Sequence, residues 1–183
     1  MDVSRFDVEG LALFEPARHE DNRGYVSEVF SERRFAPHIG SARFVQDNHT
    51  YSAAAGTLRG LHFQAPPVEQ GKLVRVLRGA VYDVVVDIRV GSITYGRHVA
   101  VELSAANWRL LWVPPGFAHG FMTLEPGTEV EYKLTGYYSA EHDRGLAWND
   151  PALAIAWPAV YEPQLSPKDR RQPLLADLPA YFA

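Results

Sequence analysis

Cysteine is absent from the 183 residues, which removes disulfides, thiolate nucleophiles and cysteine-bearing zinc sites from consideration. Long apolar runs are missing too. Met1 to Arg18 mixes charges with single apolar residues, so neither a signal peptide nor a membrane span is expected, and the cytoplasm is the expected compartment. Positive charge is not in excess, with 18 Lys and Arg against 22 Asp and Glu and a net charge of -4. The arginines are scattered among carboxylates, and the basic face that a nucleic acid requires is not in evidence. A small phosphorylated ligand needs only a few cations and stays open. Internal repeats, low-complexity stretches and linkers are also lacking, so residues 1–183 are read as one domain long enough for a sizeable core.

What is present is a series of short alternating segments. Val81 to Arg89 puts Tyr82, Val84, Val86 and Ile88 on one face and Asp83 and Asp87 on the other. Arg97 to Leu103 aligns Val99, Val101 and Leu103, and Glu129 to Tyr138 sets Val130, Tyr132 and Leu134 against Glu131 and Lys133. Gly79, Gly91, Gly96, Pro114-Pro115-Gly116 and Pro126-Gly127 punctuate these runs. Strand-helix-strand alternation does not occur, so the pattern predicts an all-β antiparallel sandwich or barrel with short peripheral helices. Ser31 is a candidate helix cap for a segment through Phe35, and Ser166-Pro167-Lys168-Asp169 is a stronger helix start. The proline-rich stretch of about 158–183 is expected to wrap the barrel rather than join it.

Two histidines stand in distinctive blocks. His62 lies in Gly56-Thr57-Leu58-Arg59-Gly60-Leu61-His62-Phe63-Gln64, and His119 in Pro114-Pro115-Gly116-Phe117-Ala118-His119-Gly120-Phe121. The blocks resemble the two halves of the cupin signature, but Gln64 stands where a second ligating histidine is usual, and Glu69 follows without its partner. Two histidines with no third donor in register make a poor divalent site, so no metal and no other cofactor is expected. Metal-free proton transfer needs a base that titrates near neutrality, an opposing acid and a cation for the developing oxyanion. His62 suits the base. Lys72 begins a strong strand and suits the cation, while Tyr132 lies on an apolar face where its hydroxyl would need a partner. Asp169 reads equally as a helix-start acid and as a carboxylate fixing the tautomer of His62. Arg59 and His62 have opposite strand parity, so both can serve one pocket only if the ladder is distorted, and Gly60 is the natural bulge.

Several further runs, among them Asp21-Asn22-Arg23-Gly24, Gln46-Asp47-Asn48-His49, Gln70-Gly71-Lys72-Leu73-Val74, Trp148-Asn149-Asp150-Pro151 and Leu165-Ser166-Pro167-Lys168-Asp169, stand in the same order as in a known family. With the His62 and His119 blocks they make the chain resemble the dTDP-4-dehydrorhamnose 3,5-epimerases of the cupin superfamily. The resemblance implies a cupin-type jelly-roll barrel and an isomerase acting on a nucleotide-linked sugar in dTDP-L-rhamnose synthesis. It also implies catalytic roles: His62 as proton acceptor paired with Asp169, Tyr132 as donor on the other face, Lys72 at the enolate oxygen. Arg23, Glu28, Gln46, Asn48, Arg59, His119, Asp143 and Lys168 fall at nucleotide, phosphate or sugar contacts, and Tyr138 where an aromatic ring stacks on thymine. Members of the family are typically homodimers with an exchanged N-terminal strand, which would put Arg23 and Glu28 at the partner's pocket. Val26, Glu69 and Asp143 depart from the usual residues and bear on substrate choice. The competing readings are a single-centre epimerase on a related ketosugar, a metal-dependent cupin oxygenase or isomerase, and a sugar-nucleotide binding protein without activity.

Overall fold

The computed structural model describes residues 1–159 and 162–183. Two antiparallel sheets dominate it. One runs in the order β1 (Asp2–Arg5), β2 (Ala12–Glu15), β10 (Leu110–Val113), β7 (Lys72–Arg78), β12 (Thr128–Leu134) and β5 (Gln46–Ser52). The other runs β13 (Asp143–Gly145), β6 (Leu58–Gln64), β11 (Phe117–Thr123), β8 (Ala80–Asp87) and β9 (His98–Ser104). A small hairpin, β3 (His19–Asp21) with β4 (Gly24–Val26), stands apart from both sheets. This is the expected all-β jelly-roll arrangement.

Period-two alternation decides what each strand contributes. Val74 and Val76 of β7, Val81 and Val85 of β8, Phe117 and Phe121 of β11 and Val130 of β12 meet between the sheets as one core. Burying each such side chain stabilises the fold by about 1.5–3 kcal/mol. The alternate residues of the five-stranded sheet, Leu61, Phe63, Val84, Val86 and Ala118, form a second cluster on its outer face. The C-terminal stretch covers that face with Trp157, Leu175, Leu178, Tyr181 and Phe182, and among its described residues Gln164 and Phe182 form isolated bridges to Thr57 and Arg89. Residues 160 and 161 of the predicted wrap lie outside the described residues. On the outer face of the six-stranded sheet, α1 (Glu32–Ile39) buries Phe35 against Phe14, with ring centroids 4.5 Å apart.

Asp83 and Asp87 are both fully buried, because both faces of β8 are covered. Three expectations need correction. The strand predicted to reach Tyr138 ends at Leu134. Thr135 still bonds Gly71, but Gly136 packs so tightly on the Glu69 carbonyl that the chain turns off there. Ser31 occupies the cap position, yet its hydroxyl makes no capping bond, and α1 continues beyond Phe35 to Ile39. The Ser166 start yields only a 3-10 turn, Asp169–Arg171, although Ser166 does cap it: its hydroxyl accepts the Asp169 N–H at 3.1 Å. Among the described residues no helix is long and apolar enough to cross a membrane.

Candidate active site

The inward face of the barrel carries apolar residues over part of its length and polar ones over the rest. By parity, Asn48 and Thr50 of β5, His62 and Gln64 of β6, Lys72 of β7, His119 of β11 and Tyr132 of β12 point between the sheets. They line two adjoining compartments of about 240 and 200 Å³ that share His62, Lys72 and Tyr132. Arg59, Ser166 and Asp169 complete the first, and Gln70, Tyr138, Asp143 and Lys168 the second.

Arg59 and His62 do share the pocket, and the ladder is distorted where the parity conflict requires it. His119 pairs with His62 and Phe121 with Arg59, so β6 spends one more residue than β11 over this step. Gly60 sits in that bulge at φ +116°, and a Cβ there would lie 2.7 Å from the Gly120 Cα and the His119 carbonyl. Only glycine fits so close an approach. Arg59 is braced on the end of β5 through Ser52 and the Tyr51 carbonyl.

The wrap brings Asp169 to His62, 107 positions away, with Oδ1 2.5 Å from Nε2. Burial pushes the Asp169 carboxyl up, but bonds from His62, the Ser166 hydroxyl and the Gly60 N–H outweigh it and leave the group below the usual carboxylate range. With Nε2 engaged, Nδ1 is the ring atom of His62 left to act as a base. Lys72 donates to the His62 carbonyl at 3.1 Å, and burial pulls its ammonium pKa down to about 8. Tyr132 stands on the opposing sheet, its hydroxyl 3.4 Å from the Asn48 amide, which in turn takes a bond from Gln46. The mouth is closed by a small network: Asp143 accepts from Lys168 and from the Tyr138 hydroxyl, and the Tyr138 N–H donates to Gln46. The Asp143 carboxylate holds the Tyr138 phenol above its ordinary range.

Eleven of the thirteen residues picked from sequence therefore belong to one site: His62, Tyr132, Lys72, Asp169, Gln46, Asn48, Arg59, His119, Tyr138, Asp143 and Lys168. Arg23 and Glu28 do not join it. Arg23, on the β3–β4 hairpin, pairs only with Asp21 and its side chain is 84% exposed, while Glu28 pairs with Arg34 at 3.2 Å. Of the departures from the family pattern, Val26 and Glu69 are both exposed. Sequence reasoning missed Asp83, whose two oxygens lie 2.9 and 3.0 Å from Nε2 of His119. Its one trace in the sequence is an acid set at strand spacing between Val81 and Val85, which the structure places in the core. Among the described residues no three His, Asp or Glu side chains converge as metal ligands.

A site with a carboxylate-held imidazole on one sheet, a phenol on the other and an ammonium between them suits proton removal and return at a carbon beside a carbonyl. The chain matches the family model described as dTDP-4-dehydrorhamnose 3,5-epimerase over residues 5–177. It is 56% identical over 175 residues to the dTDP-4-dehydrorhamnose 3,5-epimerase of Sinorhizobium fredii, covering 96% of this chain and 90% of that one. The corresponding epimerase of Escherichia coli is 47% identical over 172 residues, covering 93% and 92%. Among solved structures, a dTDP-6-deoxy-D-glucose-3,5-epimerase from Legionella pneumophila in complex with dTDP-4-keto-L-rhamnose superimposes with a TM-score of 0.93 at 44% identity, covering 98% of this chain and 95% of that one.

Proposed function

The chain belongs to the dTDP-4-dehydrorhamnose 3,5-epimerase family, and from that premise we propose that it inverts C3 and C5 of dTDP-4-dehydro-6-deoxy-D-glucose, giving dTDP-4-dehydro-L-rhamnose for dTDP-L-rhamnose synthesis in the cytoplasm. The observation that carries the mechanism is the pairing of His62 with Asp169 on one sheet opposite Tyr132 on the other. The C4 ketone acidifies the hydrogens on C3 and C5. His62 takes one of them, the resulting enolate oxygen rests against the Lys72 ammonium, and the Tyr132 hydroxyl returns a proton from the opposite face. The imidazolium and the phenolate then reset by exchange with water, and the sequence repeats at the second carbon. Because donor and acceptor come from facing sheets, each cycle inverts the centre rather than restoring it.

Arg59 and Lys168 supply the positive groups that suit a diphosphate, His119 adds a ring nitrogen to the same wall, and half-exposed Tyr138 offers a flat face for the base. Arg23 and Glu28 we assign to the pocket of a second copy in a homodimer, which fits their exposed position outside their own chain's cavity. The test is proton NMR of the purified protein with dTDP-4-dehydro-6-deoxy-D-glucose in deuterium oxide without added metal. Exchange at both C3 and C5 that disappears in His62→Ala is the expected result. Exchange at one carbon only would replace the reading with a single-centre epimerase.

A further inference from the structure

The site contains a second histidine–carboxylate pair to which proton transfer by His62 and Tyr132 gives no task. Asp83 is an inward residue of β8, fully buried, flanked on its own face by Val81 and Val85. His119 is its diagonal neighbour across the β8–β11 ladder, 5% exposed, and lines the cavity. A carboxylate placed in such surroundings costs several kcal/mol unless it is paired, and an apolar residue would pack the position more cheaply. The acid is therefore retained for what it does to its neighbours.

Two groups feel it. A carboxylate only accepts, so the Nε2 of His119 carries a proton directed at Asp83, and Nδ1 is the ring atom left to address a ligand. The second group is Lys72, which lines the same cavity as His119. Burial drags its ammonium down to about 8, and the charge of Asp83 is the largest influence in the other direction, ahead of Asp143, while Lys168 works against it. The charged and titratable groups facing this space are Arg59 and His62 from β6, Lys72 from β7, Asp83 from β8, His119 from β11, Tyr132 from β12 and Asp169 from the wrap.

We infer that Asp83 is a positioning residue for the epimerisation, locking the His119 ring through Nε2 and placing a buried negative charge beneath the cavity wall that His119 shares with Lys72. The inference rests on the proposed proton-transfer reading. Asp83 touches no substrate atom. It acts on the two groups that line the wall where the sugar and its phosphates would lie, and it does so from beneath, where no ligand can displace it.

Asp83→Asn keeps the shape and the hydrogen bond to Nε2 but removes the charge. In the resting protein, NMR titration of the Lys72 side chain should show its midpoint lowered by about one pH unit in the variant, as expected for loss of a nearby opposite charge. In turnover, the alkaline limb of kcat should move down by the same amount, which lowers kcat about threefold at pH 7.5. An unchanged Lys72 midpoint overturns the inference. The second readout needs no variant: in the unmodified protein, nitrogen shifts of His119 should show Nε2 protonated, and a ring protonated on Nδ1 alone overturns it. Both resting-state measurements are made without substrate. A protein that failed to exchange C3 and C5 would refute the epimerase reading, and these measurements would still decide what Asp83 does to Lys72 and His119.

Discussion

The barrel holds two histidine–carboxylate pairs that line one cavity and are very different in build. His62 is 32% exposed at its side chain and takes its carboxylate from the C-terminal wrap, 107 positions along the chain. His119 is 5% exposed and takes Asp83 from the adjacent strand of its own sheet. Both pairs join Nε2 to a carboxylate within hydrogen-bond distance, so access is what separates their roles. A base must pick up a proton and give it back on every cycle, and only the ring that opens to the cavity can do so. A ring pinned by both oxygens of a fully buried acid is a fixture, and its worth lies in never moving. Similar chemistry thus becomes catalyst or scaffold according to where the sheet puts it.

Substitutions should pull the two pairs apart. The largest effect belongs to His62→Ala, which should lower kcat about a thousandfold while leaving the thermal unfolding curve nearly unchanged. Asp169→Asn should cost about a hundredfold in kcat, because an amide neither fixes the tautomer nor stabilises the imidazolium, again with little loss of stability. A melting curve that collapsed in either variant would erase the contrast between the pairs. On the other pair the balance should reverse: Asp83→Ala should lower the unfolding free energy by about 3 kcal/mol, measured by urea titration, since it strands a buried donor. The smallest effect concerns acid. The Asp169 carboxyl is depressed in the folded state, so its contribution is present above the unfolded value near pH 4 and is lost as pH falls through the lower folded one. The small gap in stability between the unmodified protein and Asp169→Asn at pH 7 should therefore close below pH 4.

Much of this architecture is legible in the amino-acid sequence. Strand parity puts Tyr132 inward, and the parity conflict between Arg59 and His62 locates the bulge at Gly60, because a period of two leaves no other way to bring both to one side. What parity does not supply is depth. An acid alternating with valines looks the same on a wet face and on a covered one, so the alternation leaves the depth of Asp83 open, whereas β8 is buried on both sides. Nor does any local pattern connect Ser166-Pro167-Lys168-Asp169 to His62, since that contact is made by a 3-10 turn lying against β6, 107 positions away in sequence. The boundary at Leu134 is illegible for a similar reason: it is set by the Gly136 contact with Glu69 and Gln70, far away in sequence.

Because the partner of the base arrives with the wrap, the site is completed by a segment that follows every described strand in the chain. Synthesis runs from the N-terminus, and segments fold as they emerge. A ribosome that has delivered every strand has still delivered a barrel whose His62 lacks its carboxylate and whose outer sheet face is bare. Proton-transfer activity is in that sense a certificate of completion: without Asp169 the barrel has no carboxylate to hold His62.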